Sequence, residues 1–471
     1  MTVINEGKAK KELVKNTMIL AVGQISTKIL NFFLLPLYTT LLSTHDYGTV
    51  DLLTGYGSIL VIILGMQLNQ AAFRFLIPTR EDENRIKKII SAIIIIQGFV
   101  MVCAAVAFGV MSLLLPAKYL LFVFVFVLAN IFLQTTSCIA RGLGYNANYA
   151  LGNFVAAVVT LCLNVILIAF CGMGMDGMLI AYSIGPFAGG LLLVIICSEA
   201  QYLSLNSFSR ETLGEIINYS LPLVPNELSW SVLHTSDRII ISFVLGVAAN
   251  GLVAVASKLS SIFSISFSVF NNAWTEQVVL HYKDEGGTDY IKKMFEEITI
   301  LFASLAICLI AVTPLFFSIM IDDKYSEAYK LVPLYIIAVF FNALIGIVSS
   351  IYVSQNETKK IAITSFTAAV INVVTNIGLI HFIGIFAAPV SSILGYLTMT
   401  VFRLFDINKR HLKLCITPLK IIILIINLSV VLAVFYCGGI LAHSIGLVLA
   451  IIISIILNKE SVFSLISIIR K

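Results

Sequence analysis

Apolar runs of roughly 20 residues recur about fourteen times between Met18 and Leu457, separated by short polar breaks. Each run is about as long as a helix that crosses the ~30 Å hydrocarbon core of a bilayer. The chain is 59% hydrophobic and 12% charged, with a mean hydropathy of +1.00. Because backbone polar groups in lipid must be satisfied within a helix or a closed barrel, this pattern predicts an integral membrane protein.

The apolar runs favour helices over barrel strands. Barrel strands alternate apolar and polar residues, whereas segments such as 120–133 are continuously apolar. We therefore predict an all-α polytopic membrane protein with about 14 transmembrane helices. The predicted spans, numbered in chain order, are 14–42, 49–76, 88–114, 119–140, 150–171, 177–198, 216–245, 251–280, 294–320, 330–354, 361–383, 387–405, 418–437 and 441–457.

The distribution of Lys and Arg predicts the orientation of the spans. With the N-terminus inside, the inner segments hold most of the 30 Lys and Arg residues, whereas the outer segments hold only Lys118, Lys324 and Lys330. Cytoplasmic loops of membrane proteins carry this excess of basic residues. We therefore predict a multi-pass protein with both termini in the cytoplasm.

The loops and the cysteines narrow the classes of function. The longest loops, 199–215 and 281–293, are too short to fold alone, so we predict no catalytic domain and no enzyme. The net charge of +5 does not indicate a nucleic-acid partner, because the basic residues stand between the spans. The eight cysteines lie in or beside apolar runs without a CxxC pair, and we interpret them as packing residues. We predict no cofactor and no metal.

An internal repeat relates the two halves of the chain. At an offset of 203 residues, segment 41–53 falls on 244–256, with Gly48 on Gly251. An offset of six spans preserves orientation, so the repeat is parallel, and two similar bundles around a central cavity are a recurring transporter design. We predict an N-terminal six-helix bundle at 1–205, a pseudo-symmetric C-terminal six-helix bundle at 206–412, and two additional helices with a short cytoplasmic tail at 413–471.

Polar side chains form matching stripes in the two halves. At 100° per residue, each stripe follows one face of span 1, 2, 7 or 8. A charge at the bilayer centre costs about 2.5–3.5 kcal/mol, so we interpret the stripes as the lining of a water-filled cavity. A dry network, such as His234 against Glu227, is the alternative. The stripe residues are Gln24, Lys28, Asn31, Asp51, Asn69, Glu227, Ser231, His234, Arg238, Lys258 and Asn272.

Four segments carry motifs of a known family. The first, 16–53, has Pro36 and Thr39 late in span 1 and a turn that ends in Tyr47 and Gly48. The others are GMQLNQAAFRFLIPTREDENRIKKIISAII (65–94), RGLGYNANYALGN (141–153) and DRIIISFVLGVAANGLVAVASKL (237–259). Together they resemble bacterial polysaccharide-export flippases of the Wzx type. That family belongs to the superfamily that includes the MATE exporters and the lipid II flippases.

The resemblance implies a flippase of the bacterial cytoplasmic (inner) membrane. Its substrate would be a polyprenyl-pyrophosphate-linked oligosaccharide, such as an O-antigen, capsule or exopolysaccharide repeat unit. The protein would move this substrate from the inner to the outer leaflet, driven by an H⁺ or Na⁺ gradient. Polysaccharide polymerase and chain-length proteins would be partners.

The resemblance also implies roles for individual residues. Cationic cavity residues would bind the anionic linker, and Lys28, Arg238 and Lys258 are the candidates by position, with Arg74 carried over from the second motif. Uncharged or acidic residues would complete the lining, namely Gln24, Asn31, Asp51, Asn69, Ser231 and Asn272. Their position on span 7, rather than the resemblance, makes Glu227, His234 and Asp237 the candidates for binding the coupling ion or proton.

Two other functions fit parts of the pattern. A MATE-type drug or cation antiporter would share the architecture, but an exporter of organic cations should favour acidic and aromatic cavity residues rather than three cations. A membrane enzyme, either a polymerase or a polyprenyl glycosyltransferase, would need a sizeable loop that carries paired carboxylates or an Arg cluster. The chain has no loop of that size.

Overall fold

The computed structural model describes residues 32–113, 117–204, 207–282, 284, 286–355, 357–410 and 412–459. These residues form helices joined by turns and short loops, with no strand among them, so the predicted all-α fold is confirmed. Three predicted cavity residues, Gln24, Lys28 and Asn31, lie outside the described residues, as does most of the C-terminal tail.

Helices cover the predicted spans from 49–76 onward, and predicted spans 2 and 7 are each divided between two helices. In the first half they are α1 (Leu35–Leu41), α2 (Thr44–Gly65), α3 (Leu68–Leu76), α4 (Glu83–Met111), α5 (Ala117–Gly142), α6 (Asn146–Asn164), α7 (Gly174–Ile196), α8 (Arg210–Ser220) and α9 (Val224–Val244). In the second half they are α10 (Val247–His281), α11 (Gly287–Met320), α12 (Val332–Ser354), α13 (Thr358–Ile383), α14 (Ala387–Lys409), α15 (Pro418–Cys437) and α16 (Ile440–Leu457).

Length and composition support a polytopic membrane protein. Among the described residues, 11 helical segments are long and apolar enough to cross a bilayer, and one of them, Lys359–Lys409, contains both α13 and α14. The more polar α9, which occupies predicted span 7, is absent from that set. It carries three charged residues, Glu227, Asp237 and Arg238.

The chain divides into two compact units, residues 1–235 and 236–471. The division falls inside α9, between Thr235 and Ser236. In the second unit, α15 and α16 pack against α11. The bundle boundaries expected from the repeat, at 205 and 412, stay predictions.

Local sequence explains where several helices begin and end. The side chains of Ser43 and Asp82 accept hydrogen bonds from backbone N–H groups in the first turns of α2 and α4. At the C-terminal end of α5, Arg80 donates from Nε to the carbonyl of Gly142 (2.7 Å) and from Nη2 to that of Arg141 (3.3 Å). A cation at a helix C-terminus complements the negative end of the helix dipole.

Predicted span 2 is not one helix. α2 ends at Gly65, Met66 and Gln67 both adopt left-handed backbone angles with φ of 50° and 54°, and α3 follows. This conformation costs a non-glycine residue about 1–3 kcal/mol, so the surrounding contacts must hold it. The expectation that Asn69 shares a face with Asp51 on one continuous helix is therefore wrong, because the break resets the direction of α3.

The two segments of span 2 pack in separate apolar clusters of the first unit. α3 contributes Leu68, Ala71, Ala72 and Leu76 to a cluster with residues of α4, α5 and α8. In α2, Val61 belongs to another cluster with Val123, Val127 and Ile131 of α5. α5 therefore runs past the break as a continuous support for both segments.

The added helices α15 and α16 are held by polar contacts as well as by apolar surface. Glu296 on α11 accepts from Thr417 Oγ1 (2.6 Å) and pairs with Lys420 Nζ (3.0 Å) at the start of α15. At the end of α15, the rings of Phe435 and Tyr329 stack at 4.2 Å. On the next helix, Asn458 Nδ2 donates to Ser304 Oγ of α11 (3.0 Å).

Candidate functional site

A buried carboxylate on α9 gathers polar side chains from two other helices of the second unit. Asp237 is 5% exposed. Its Oδ1 accepts from Asn376 Nδ2 (2.8 Å) and Ser391 Oγ (3.3 Å), and its Oδ2 accepts from Ser392 Oγ (2.6 Å). α13 therefore supplies the amide, and the first turns of α14 supply the two hydroxyls. The positive end of the α14 dipole also favours a negative charge here.

A second amide completes this Asp237 cluster. Asn372 lies one helical turn before Asn376 on α13, and its Nδ2 is within 3.4 Å of both Ser391 Oγ and Ser392 Oγ. Its Oδ1 accepts from Ser236 Oγ at 3.0 Å. The Oδ1 of Asn376 is buried and has no hydrogen-bond partner among the described residues. An oxygen acceptor is thus left unused beside a carboxylate.

The composition of the Asp237 cluster limits what it can bind. Every partner of the carboxylate named above is neutral, and no salt bridge to Asp237 occurs within the described part of the chain. No group of three or more His, Cys, Asp or Glu residues occurs there either. Carboxylate, amide and hydroxyl oxygens suit a hard cation. One charged ligand balances one positive charge, so the donor set fits a proton or a monovalent cation.

Two predicted linker-binding cations lie on neighbouring helices of the second unit. Arg238 follows Asp237 on α9, and its Nη2 donates to Ser257 Oγ on α10 at 3.3 Å. Lys258 is the next residue along α10 and is half-buried. Arg74 lies elsewhere, exposed near the end of α3 in the first unit. The structure therefore brings Arg238 to the stretch of α10 that carries Lys258.

The remaining predicted residues lie in varied surroundings. On α2, Asp51 is buried, and on α3, Asn69 is half-buried. Asn272 is exposed on α10. Of the residues predicted to couple an ion, only Asp237 is buried in a polar cluster.

The other two coupling candidates occupy the N-terminal part of α9. Glu227 and His234 are exposed, and Ser231 is half-buried. The His234 ring stacks on Trp230, with centroids 6.0 Å apart and an interplanar angle of 21°. His234 therefore has an aromatic neighbour that the stripe prediction did not include.

Sequence reasoning did not select the neutral partners of Asp237. Asn372, Asn376, Ser391 and Ser392 lie in predicted spans 11 and 12, which carry few charges. A usable signal was present, because two Asn residues four positions apart lie on one helix face inside an apolar run. A search for charged residues alone does not find such neutral ligands.

A second buried polar cluster lies toward the C-terminal end of α14. Arg403 is fully buried. Its Nε donates to Thr364 Oγ1 (2.9 Å), its Nη2 donates to the carbonyl of Ile361 (3.1 Å), and its Nη1 donates to Ser349 Oγ. Because Arg403 lies near the end of predicted span 12, the sequence places it with the basic residues that set the orientation of the spans. The structure instead shows that it joins α12, α13 and α14.

One ionisable residue of the first unit is buried beyond the end of α7. Glu199 is 4% exposed, and its Oε1 has no hydrogen-bond partner among the described residues. Burial raises the pKa of Glu199 to about 8. Cys197, two residues earlier, accepts a weak hydrogen bond from Asn148. Glu199 therefore changes charge near neutral pH.

Solved structures of two transporter groups share this fold. One is the lipid II flippase MurJ in an inward closed conformation, which aligns with a TM-score of 0.70 and 12% sequence identity. The alignment covers 96% of this chain and 100% of that chain. Another is an inward-facing multidrug resistance MATE family transporter of the MOP superfamily, with a TM-score of 0.68, 14% identity, and coverage of 83% and 98%. An outward-facing MATE family transporter aligns with a TM-score of 0.60, 14% identity, and coverage of 86% and 96%.

The sequence comparison is more specific than the fold. No curated protein matches the chain by sequence. The polysaccharide biosynthesis protein family matches residues 13–275, which is more than half of the 471 residues. The resemblance inferred from the four motifs is confirmed. The chain belongs to the polysaccharide biosynthesis protein family, and it has the fold that MATE transporters share with the MurJ flippase.

Proposed function

We propose that this protein is a flippase for a polyprenyl-pyrophosphate-linked oligosaccharide, which it moves from the inner to the outer leaflet of the cytoplasmic membrane. Membership of the polysaccharide biosynthesis protein family supports the transported class. The observation that carries the proposal is a pair of cationic side chains, Arg238 and Lys258, on adjoining helices of the second unit. Cations in membrane-spanning helices are costly, and they commonly mark a substrate pathway.

The physical chemistry of the substrate matches a basic, polar pathway. A sugar-pyrophosphate head carries negative charge and many hydroxyl groups, so its transfer through hydrocarbon is strongly unfavourable. Guanidinium and ammonium groups form strong charge-assisted hydrogen bonds with phosphate oxygens. The neutral residues of the predicted stripes, such as Ser231 and Asn272, would bind sugar hydroxyls. The polyprenyl chain would stay in the lipid.

The Asp237 cluster supports coupling to an H⁺ or Na⁺ gradient. A buried carboxylate whose hydrogen-bond donors are all neutral is stabilised when it binds a proton or a monovalent cation. The unused Oδ1 of Asn376 offers a further oxygen ligand for a cation. Because Arg238 follows Asp237 on the same helix, the charge state of the carboxylate would act directly on the residue that contacts the linker.

A MATE-type drug or cation antiporter is the second candidate. It is favoured by the structural similarity to MATE transporters. The cationic side chains of α9 and α10 oppose it, because an organic cation would be repelled by Arg238 and Lys258. The two functions thus predict opposite charges for the preferred substrate.

The experiment that tests the proposal replaces Lys28, Arg238 and Lys258 with alanine, singly and together. A hydrogen bond to a charged group contributes about 1.5–3 kcal/mol, so the triple variant should lose surface-polysaccharide export by more than about tenfold. Export is measured as cell-surface polysaccharide in cells that depend on this protein. Lys293→Ala, which removes an exposed cation of the same unit, is the matched control.

The outcomes separate the two candidates. Normal export in the triple variant, with the protein present in the membrane, would contradict the proposed role of the cations. Unchanged polysaccharide together with a change in resistance to cationic drugs would favour the antiporter. Loss of export with unchanged drug resistance is the result that the flippase proposal expects.

A further inference from the structure

We propose that Met66 and Gln67 form a hinge at which α2 changes its direction relative to α3 as the protein changes conformation. This device belongs to the first unit, whereas the Asp237 cluster belongs to the second. α2 carries Asp51, whereas α3 carries Asn69 and Arg74. A bend between the two helices would therefore move one part of the predicted polar stripe without the other.

The backbone at the break has few internal hydrogen bonds. Met66 N–H donates to the carbonyl of Ile63 (3.3 Å), and the N–H groups of Gln70 and Ala71 both donate to the carbonyl of Gln67. The N–H group of Gln67, which lies between the two helices, has no backbone acceptor within the described part of the chain. In a continuous helix it would bond to the carbonyl of Ile63, which Met66 N–H occupies instead. The regular helical hydrogen-bond pattern is therefore interrupted at Met66 and Gln67.

The side chains on the two sides of the break form separate groups. The apolar cluster around Leu68 and the apolar cluster around Val61 share no buried residue. The two segments therefore share only their support, α5, which contributes residues to both clusters. At the junction, Gly65 of α2 faces Ile131 of α5, and a Cβ added to Gly65 would lie 3.7 Å from Ile131 Cγ1. The glycine therefore leaves room for about one methyl group between the two helices.

The amide of Gln97 on α4 has a hydrogen-bond donor that no described residue uses. Thr135 is one helical turn beyond Ile131, and its Oγ1 donates to Gln97 Oε1 on α4 at 2.8 Å. The Nε2 of Gln97 is buried and has no partner among the described residues. The side chain of Gln67, 9% exposed, also lies inside the unit. Irregular backbone at membrane depth is tolerated where protein or water satisfies it, and the buried Gln67 amide adds one acceptor and two donors to this part of the unit.

The test exchanges the hinge residues for those of the related span. At the 203-residue offset, Met66 corresponds to Val269 and Gln67 to Phe270 in the continuous helix α10. Met66→Val with Gln67→Phe should close the break, because bulky and β-branched residues disfavour left-handed angles. Met66→Gly with Gln67→Gly should keep it, because glycine adopts these angles freely. The two double variants therefore have opposite expected effects at the same positions.

Pulsed-EPR distances between spin labels report the angle directly. Labels at His45 and Ile77 flank the hinge, and labels at Ala248 and Leu280 have the same sequence separation along α10. They are introduced as cysteines after replacement of the eight native cysteines. A continuous helix would place either pair about 48 Å apart. The control pair should give that single distance, while the hinge pair should give shorter distances that differ between buffers with and without the coupling ion, which means sodium against potassium or low against high pH.

The outcomes are distinct for the hinge and for the transport function. The valine–phenylalanine variant should shift the hinge pair to about 48 Å and lose most export, and the diglycine variant should keep both short distances and export. One invariant distance for the hinge pair in both buffers would overturn the proposal. Full export with the break closed would overturn it too. The distance measurement needs no oligosaccharide, so failure of the flippase assignment would leave its result unaffected.

Discussion

Predicted spans 2 and 8 are equivalent in the repeat but differ in backbone. Span 2 is divided at Met66 and Gln67, whereas span 8 is the continuous helix α10 of 35 residues. A β-branched residue such as Val269 is strongly disfavoured in left-handed backbone, which accounts for continuity at the equivalent position. The difference teaches that a repeat visible in hydropathy does not fix the backbone path of each copy.

The two units also differ in buried charge. In the second unit, Asp237 and Arg403 are each surrounded by neutral oxygen or amide groups. At the 203-residue offset, these positions are Leu34 and Ala200 in the first half. The second unit therefore has buried ionic groups at two positions where the first half has apolar residues, and the first unit has the bend. Substitutions that remove one of these features should therefore affect the two units differently.

The largest effect is expected at Asp237. Asp237→Asn keeps the shape of the side chain but removes the charge that attracts a proton or cation. We expect transport to lose its dependence on an H⁺ or Na⁺ gradient and to fall by about tenfold or more. The measurement is substrate flipping in vesicles with imposed gradients. Asp406→Asn is the control, because Asp406 pairs with Arg410 and Lys360. If transport by the Asp237 variant still depended on the gradient, the proposal that Asp237 binds the coupling ion would be contradicted.

A loss of stability is expected at Arg403. Arg403→Ala removes hydrogen bonds that join α12, α13 and α14, and it leaves a cavity in a region without solvent. We expect a loss of about 3 kcal/mol in the free energy of unfolding, seen as a lower melting temperature of the purified protein. Arg410→Ala should lower it less, because Arg410 is partly exposed. Equal melting temperatures for Arg403→Ala and the parent would show that the cluster contributes no stability.

A pH-dependent effect is expected at Glu199 in the first unit. Its pKa is about 8 in the folded protein against about 4.5 in the unfolded chain. The folded state therefore binds the extra proton, and this contribution is complete below about pH 4.5 and lost as the pH rises to about 8. Glu199→Gln should raise the stability above pH 8 and flatten the dependence of the melting temperature on pH. Parallel pH profiles for variant and parent would contradict this.

The smallest effects compare glycine at equivalent positions. Met66→Gly should raise the free energy of unfolding by about 0.5–1 kcal/mol, because it relieves a left-handed residue. Val269→Gly should lower it by about 1 kcal/mol, because glycine weakens a continuous helix. The melting temperatures of the two single variants show whether each substitution raises or lowers the stability. A decrease for both would indicate that the backbone of span 2 is not strained.

Hydropathy predicted the helices well because membrane-spanning segments must be long and apolar. Helices cover the predicted spans from 49–76 onward, and the family motifs gave the correct family. The break at Met66 was not predictable from pattern. Methionine and glutamine are ordinary helix formers, and only surrounding contacts hold them in left-handed angles.

The candidate site was partly predictable. Asp237 was selected because a carboxylate in an apolar helix is unusual. Its ligands could not be assigned, because Asn376 and Ser392 come from helices distant in sequence, and their meeting depends on how α13 and α14 pack. Arg403 gave no sign of burial, since a basic residue near a span end is normally at the membrane surface.

The attachment of α15 has a consequence for the membrane. The helix has 20 residues, about 30 Å, and both of its ends are tied, one to Glu296 and the other to Tyr329 and Lys330. It cannot change its tilt independently to follow the lipid. The second unit therefore presents a constant hydrophobic thickness, and a thinner or thicker bilayer must deform around it at a cost of fractions of a kcal/mol per Å. Bilayer thickness thus becomes a variable to which this half of the protein responds as one body.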